Sequence, residues 1–170
     1  MMKHTLARDL MTVGVPTCKT GTPAGDVARF LLANNVEEMV VLDEEGHGVG
    51  VIGYEQLVAH SDRDGAAELP AEQIMTEGVP ELPADVPLAV AAQMLRDRRI
   101  RVGYMLHNAA GITYPAAFLS YRHLVRVLAA RSEDELKDLG LAAARKSPIE
   151  QFTEKRDAAR RKAGLADPPR

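Results

Sequence analysis

The chain has 170 residues, enough for one ordinary domain or two small ones. Hydrophobic residues make up 46% of it, which supports a packed core, and three Phe with no Trp make that core aliphatic. A net charge of −3 with few aromatics argues against nucleic acid as a partner. The lone Cys18 excludes an internal disulfide, and no apolar run follows Met1-Met2-Lys3-His4, so a cytoplasmic protein is expected.

Met11-Thr12-Val13-Gly14-Val15-Pro16 recurs 64 residues later as Met75-Thr76-Glu77-Gly78-Val79-Pro80. Aligning 11–42 with 75–106 gives nine identities in 32 positions, where average residue usage gives roughly two. Such a period implies two copies of one supersecondary unit that bury their cores together. In chain order, copy one predicts a short helix over Leu6–Met11 and an extended segment over Val15–Lys19. Thr22 then caps a helix beginning at Pro23 and running to Asn34, with Val27, Phe30, Leu31 and Asn34 near a 3.6 period. Strands follow over Met39–Leu42 and Val49–Ile52, joined by a hairpin turn at Gly46-His47-Gly48, and a helix over Tyr54–His60. Ser61-Asp62-Arg63-Asp64-Gly65 is a polar linker.

Copy two repeats this order: a helix over Ala71–Met75, an extended Val79–Pro83 and a helix over Pro87–Arg98. In that helix Val90, Ala91, Met94 and Leu95 are periodic, and Asp85 takes the capping role because Val86 cannot. Strands over Gly103–Leu106 and Ile112–Leu119 and a helix over Tyr121–Arg131 complete it. Val102–Tyr121 carries no Asp, Glu, Lys or Arg and is long enough to span a bilayer. Its Asn108, Gly111, Pro115 and Ser120 instead predict two buried strands about a turn, and no membrane segment.

The twofold helix–strand–helix–strand–strand–helix order resembles the CBS domain family, whose members occur in tandem as a Bateman module. Three patterns carry the resemblance over about residues 6–130. They are the Met-Thr ending of each opening helix, Val36-Glu37-Glu38-Met39-Val40-Val41-Leu42-Asp43, and Gly50-Val51-Ile52-Gly53-Tyr54-Glu55-Gln56-Leu57. The expected fold is α/β, two pseudo-symmetric βαββα-type CBS repeats over 6–61 and 70–130, with a helical extension over 132–170.

The family's third pattern places a Thr or Ser that bonds a phosphate and an Asp that accepts both ribose hydroxyls, as an acceptor-only carboxylate suits a diol. Copy one has Gly53 and Gln56 at those positions; copy two, Phe118-Leu119-Ser120-Tyr121-Arg122-His123-Leu124, has Ser120 and His123. Val40 and Tyr104 stand where the family has Pro. Either Tyr104 stacks on a flat ligand, with Gly103 making room, or it fills the cleft itself. Arg101 and Arg122 are candidates to hold an anion beside the helix start at Ser120. The ligand-binding set implied by the resemblance is Val79, Pro80, Arg101, Tyr104, Ser120, Arg122 and His123. AMP, ADP, ATP or S-adenosylmethionine are the implied ligands. The five His show no zinc spacing and no catalytic constellation is apparent, so a regulatory module rather than an enzyme is expected.

Residues 131–170 carry ten Lys/Arg against eight Asp/Glu, while residues 1–130 are net −5. Ser132-Glu133-Asp134-Glu135 and Ser147-Pro148-Ile149-Glu150 are capping boxes opening helices over Glu133–Arg145 and Pro148–Ala163. Ile149, Phe152, Ala159 and Ala163 form a narrow apolar stripe. A homodimer is expected, because apolar faces of Leu6–Met11 and Tyr54–His60 and their counterparts exceed what the pair can cover. A protein partner through residues 147–165 is the other candidate contact. The rival to a nucleotide sensor is a ligand-free scaffold for assembly through the tail.

Overall fold

A computed structural model describes residues 5–132 and Glu135. Copy one contains α1 (Ala7–Leu10), β1 (Thr12–Val13), β2 (Thr17–Lys19), α2 (Ala24–Asn34), β3 (Glu38–Leu42), β4 (Gly48–Gly53) and α3 (Tyr54–Ala59). A 3₁₀ turn at Ala66–Glu68 leads into copy two: α4 (Ala71–Ile74), β5 (Thr76–Glu77), α5 (Leu88–Asp97), β6 (Val102–Ala109), β7 (Ile112–Ser120) and α6 (Tyr121–Ala129). The uncharged stretch is a β-hairpin. Ala110 and Gly111 both have positive φ, 53° and 84°, as a two-residue turn matching the strand twist requires. No described helix is long and apolar enough to cross a membrane.

The sequence repeat is not the packing unit. β1 pairs antiparallel with β7 of the other copy, Thr12 opposite Phe118, and β5 pairs antiparallel with β4, Thr76 opposite Val51. The sheets therefore run β1-β7-β6 and β2-β3-β4-β5, each finished by a strand from the other copy. The opening helices cross with their strands. Ala7, Leu10 and Met11 lie in one core with Leu88, Ala91, Leu95 and Leu119. Ala71 and Ile74 lie in the other with Val27, Leu31, Met39 and Ile52. Between the sheets a third cluster, Val40, Val51, Val102 and Tyr104, joins the repeats.

The exchange also supplies the helix caps, correcting the capping assignments made from sequence. Pro23 and Pro87 are themselves the N-cap residues. The first amides of α2 and α5, at Ala24 and Leu88, donate 2.8 Å bonds to the carbonyls of Leu69 and Thr5, just before the exchanged helices. Helix amides have no partner within their own first turn, so each crossing segment satisfies one. Thr22 accepts from the Lys19 amide instead, and Asp85 pairs with Arg8. Phe30 and Val90, expected on the core faces, are exposed. The buried stripes are Ala24, Val27, Leu31 and Leu88, Ala91, Leu95.

The apolar residues of α1, expected to face a dimer partner, are instead covered by the other repeat. Exposed apolar side chains lie elsewhere, among them Tyr54 and Val58 (71% exposed) on α3, Val125 and Leu128 (74%) on α6, and Leu32 (71%) on α2. At the tail junction, Glu135 N–H donates to Ser132 Oγ at 3.2 Å. The Glu135 carboxylate accepts from the Arg131 amide, one residue earlier than a regular capping box has it. The tail helices expected over Glu133–Arg145 and Pro148–Ala163, and the apolar stripe on the second, lie outside the described residues, Glu135 excepted.

Leu10→Ala, in copy one by sequence, is expected to cost about 2–5 kcal/mol, as for other buried leucines. It should accelerate amide exchange in β6 and β7 more than in β3 and β4. Hydrogen-exchange mass spectrometry reads that order directly, and faster exchange in β3 and β4 contradicts the exchanged packing.

Candidate functional site

Two clefts flank the central cluster, one at the start of each closing helix. The first, about 270 Å³, lies where α6 begins and is lined by Thr12, Asn34, Asn35, Ser120, Arg122, His123 and Arg126 among others. The second, about 590 Å³, lies where α3 begins and is lined by Gly53, Tyr54, Gln56, Thr76, Arg99 and Arg101 among others. Glu37, Glu38 and Val102 line both. The reciprocal exchange produces this arrangement, because it brings the Met-Thr strand of one copy beside the closing helix of the other.

In each cleft the helix start is closed by the same device. Gln56 Oε1 accepts from the Gly53 amide at 2.9 Å, and Gln56 Nε2 donates to Thr76 Oγ1 at 2.9 Å. In copy two, His123 Nδ1 accepts from the Ser120 amide at 3.0 Å. An amide can only donate, so Nδ1 carries no proton and Nε2–H donates to Thr12 Oγ1 at 2.8 Å. His123 is 8% exposed and lies edge-on to Phe118, with ring centroids 5.4 Å apart. Ser120 Oγ also reaches His123 Nδ1 at 2.9 Å. This Ser–His contact caps α6, and the group beyond the imidazole is a threonine hydroxyl rather than the carboxylate a hydrolytic triad uses.

Each cleft carries two guanidinium groups, Arg122 and Arg126 at the first and Arg99 and Arg101 at the second. Arg122 spans the first cleft, donating to the Asn35 carbonyl at 3.0 Å. That carbonyl belongs to the residue that ends α2 in a left-handed conformation, φ 53°. A guanidinium there complements the negative end of the α2 dipole.

Tyr104 and Glu38 stand between the clefts. Tyr104 is 1% exposed, and its hydroxyl donates to Glu38 Oε1 at 2.8 Å. Burial raises the Glu38 carboxyl to about 7. The Tyr104 hydrogen bond and the charge of Arg101 oppose that rise, and Glu37 and Glu55 add to it. Burial, with the charge of Glu38 adding to it, also raises the Tyr104 phenol, so it is protonated at neutral pH. Burial lifts the Cys18 thiol to about 11, leaving it almost wholly un-ionised at neutral pH. Among the described residues, no group of three or more His, Cys, Asp or Glu could hold a metal ion.

Residues 7–62 match the family described as CBS domain. The CBS domain pair of protein MJ0100, in complex with 5′-methylthioadenosine and S-adenosyl-L-methionine, matches with a TM-score of 0.65 and 18% identity over 75% of this chain and 98% of that one. The described residues take the fold of a CBS-domain pair. A CBS domain protein from Pyrobaculum aerophilum complexed with AMP matches with a TM-score of 0.60 and 22% identity, covering 82% and 100% of the two chains. An uncharacterized conserved protein from Pyrococcus horikoshii matches at 0.65 and 19%, covering 78% and 98%. No curated protein matches the sequence.

Within this fold the residues expected to form one site are divided. Ser120, Arg122 and His123 line the first cleft, whereas Pro80 and Arg101 line the second. Tyr104 lines neither and fills the seam between the repeats, where Val79 packs against the same cluster. Gly103 makes room for Leu82 rather than for a ligand, since a Cβ there would lie 2.8 Å from Leu82 Cβ. Both ring nitrogens of His123 are engaged within the protein, so it positions the helix start rather than offering a donor to the cleft. The sequence patterns did not single out Glu38 as a site residue, because it occupies one of the family segment's variable positions. The repeated Met-Thr was legible, but not that its threonine receives the side chain at the family's acid position.

Gly53 occupies the family's hydroxyl position because nothing larger fits: a Cβ would lie 2.6 Å from the Glu37 carbonyl oxygen. Gly53→Ser is therefore expected to destabilise the fold by about 1–3 kcal/mol, as overpacking does. Urea unfolding measures this, and a serine tolerated without loss would show that glycine is not sterically required at this position.

Proposed function

We propose that the chain is a regulatory CBS-pair module whose first cleft takes an adenine nucleotide or a related anionic ligand and whose response is a change in repeat orientation. The observation that carries this reading is the composition of that cleft. Ser120, Arg122, Arg126 and the start of α6 come from copy two, and Asn34 to Glu38 from copy one. A ligand in it touches both repeats, and can shift their arrangement by whatever difference in affinity it has for the two states. The CBS structures crystallised with AMP and with S-adenosyl-L-methionine support the ligand class. A cytoplasmic homodimer, formed over the exposed Val58, Val125 and Leu128 of α3 and α6, fits the same role.

A second reading is favoured by one observation: Gln56 and His123 are committed to Thr76 and Thr12, leaving no carboxylate for a ribose diol at either position. A ligand-free scaffold, assembling through α3 and α6 or through a protein partner at residues 147–165, accommodates that feature.

Thermal-shift titration with AMP, ADP, ATP and S-adenosylmethionine distinguishes the two, because a ligand that prefers the folded state raises the midpoint. The expected outcome is a saturable rise with at least one of the four. Ser120→Ala with Arg122→Ala should weaken that binding, at about 1.5–3 kcal/mol for each charged hydrogen bond lost. Gln56→Ala in the second cleft should matter less. No shift with any of them, together with a mass by light scattering above the 18.5 kDa monomer, favours the scaffold.

A further inference from the structure

We propose that Glu38 and Tyr104 form a proton-operated latch between the two repeats, set in the wall common to both clefts. The geometry is specific. Glu38 opens β3 of copy one and Tyr104 lies on β6 of copy two, and their 2.8 Å bond crosses the seam. Tyr104 is anchored on its other side, with its amide on the Pro80 carbonyl and its carbonyl on the Leu82 amide, both at 2.8 Å. The ring packs with Val40, Val51 and Val102, an apolar setting in which an added charge is costly. Glu38 is partly exposed and lines both clefts, so its carboxyl borders the space a bound molecule would take.

The groups facing Glu38 add up unfavourably for a second charge. Glu37 precedes it on the chain and Glu55 faces it from α3, while Arg101, just before β6, is the cation nearest in effect. The protonated acid therefore closes the seam, and ionisation draws water into the clefts and places another negative charge in their shared wall. Folded Glu38 binds its proton more tightly than an unfolded glutamate. Its stabilisation is thus complete at acid pH below the unfolded value and is lost as pH rises through about 7. Resting on the proposed anion-binding role, the same latch links ligand to proton: an anion entering either cleft is favoured with Glu38 protonated and binds with uptake of a proton.

The latch is tested first without ligand. Between pH 6 and pH 8 the thermal midpoint of the wild type should fall by roughly 2–6 °C relative to Glu38→Gln, a neutral isostere that still accepts from Tyr104. Parallel midpoints in the two proteins overturn the latch. Carboxyl NMR titration of the wild type is independent of whether the variant folds, and a Glu38 midpoint in the ordinary glutamate range overturns it as well. The linkage is tested with AMP as probe, by calorimetry at pH 7 in two buffers of different ionisation enthalpy. Proton uptake larger in the wild type than in Glu38→Gln supports it, with affinity falling about three- to tenfold more from pH 6 to pH 8 in the wild type, since the titration of the AMP phosphate is common to both. Equal uptake in both proteins overturns the linkage. The ligand-free result stands whether or not AMP binds, so failure of the nucleotide reading and failure of the latch are separable.

Discussion

The reciprocal crossing of the opening segments is the constraint on which the rest of this structure depends. A four-residue helix and a two-residue strand have negligible stability alone, since helix nucleation is unfavourable and a lone strand pair is marginal in water. Each is held by the other copy's core: Leu10 and Met11 beside Leu95 and Leu119, Ile74 beside Val27 and Ile52. Neither core is complete without a segment from outside its own sequence repeat. Two units that look separable in sequence are thereby bound into one folding unit.

The same crossing builds the clefts. Because β1 runs beside β7, Thr12 meets His123; because β5 runs beside β4, Thr76 meets Gln56. The two contacts are pseudo-symmetric in geometry and different in chemistry. Imidazole and carboxamide both offer one acceptor to the helix-start amide and one donor to the threonine, which a carboxylate cannot do. Replacement of the family's acid by His and Gln is thus a consistent local solution in which the helix starts are satisfied from within the protein.

The clefts are lined by charged side chains: Arg122 and Arg126 at one, Arg99 and Arg101 at the other, and the shared pair Glu37 and Glu38. Both clefts are therefore mixed in sign. Guanidinium groups near a helix start favour anions, and adjacent carboxylates limit how much negative charge the space accepts. Glu38 belongs to that balance, and its carboxyl accepts from Tyr104 of the other copy.

The repeat, the order of elements, a turn within Asn108–Gly111 and the departures at Gly53, Gln56 and His123 were legible in the sequence alone. These are local matters, carried by periodicity, by turn residues and by a fixed offset between two copies. Only the tertiary structure decided which repeat each opening segment joins, since both copies present the same apolar pattern and sequence periodicity does not distinguish the partners. It also separated Arg101 and Pro80 from Ser120 and Arg122, and it closed Tyr104 into the seam. Glu38 acquired its role in the same way. A carboxyl becomes titratable near neutrality through loss of solvent and through the charges around it, and both are properties of the folded neighbourhood rather than of the residue.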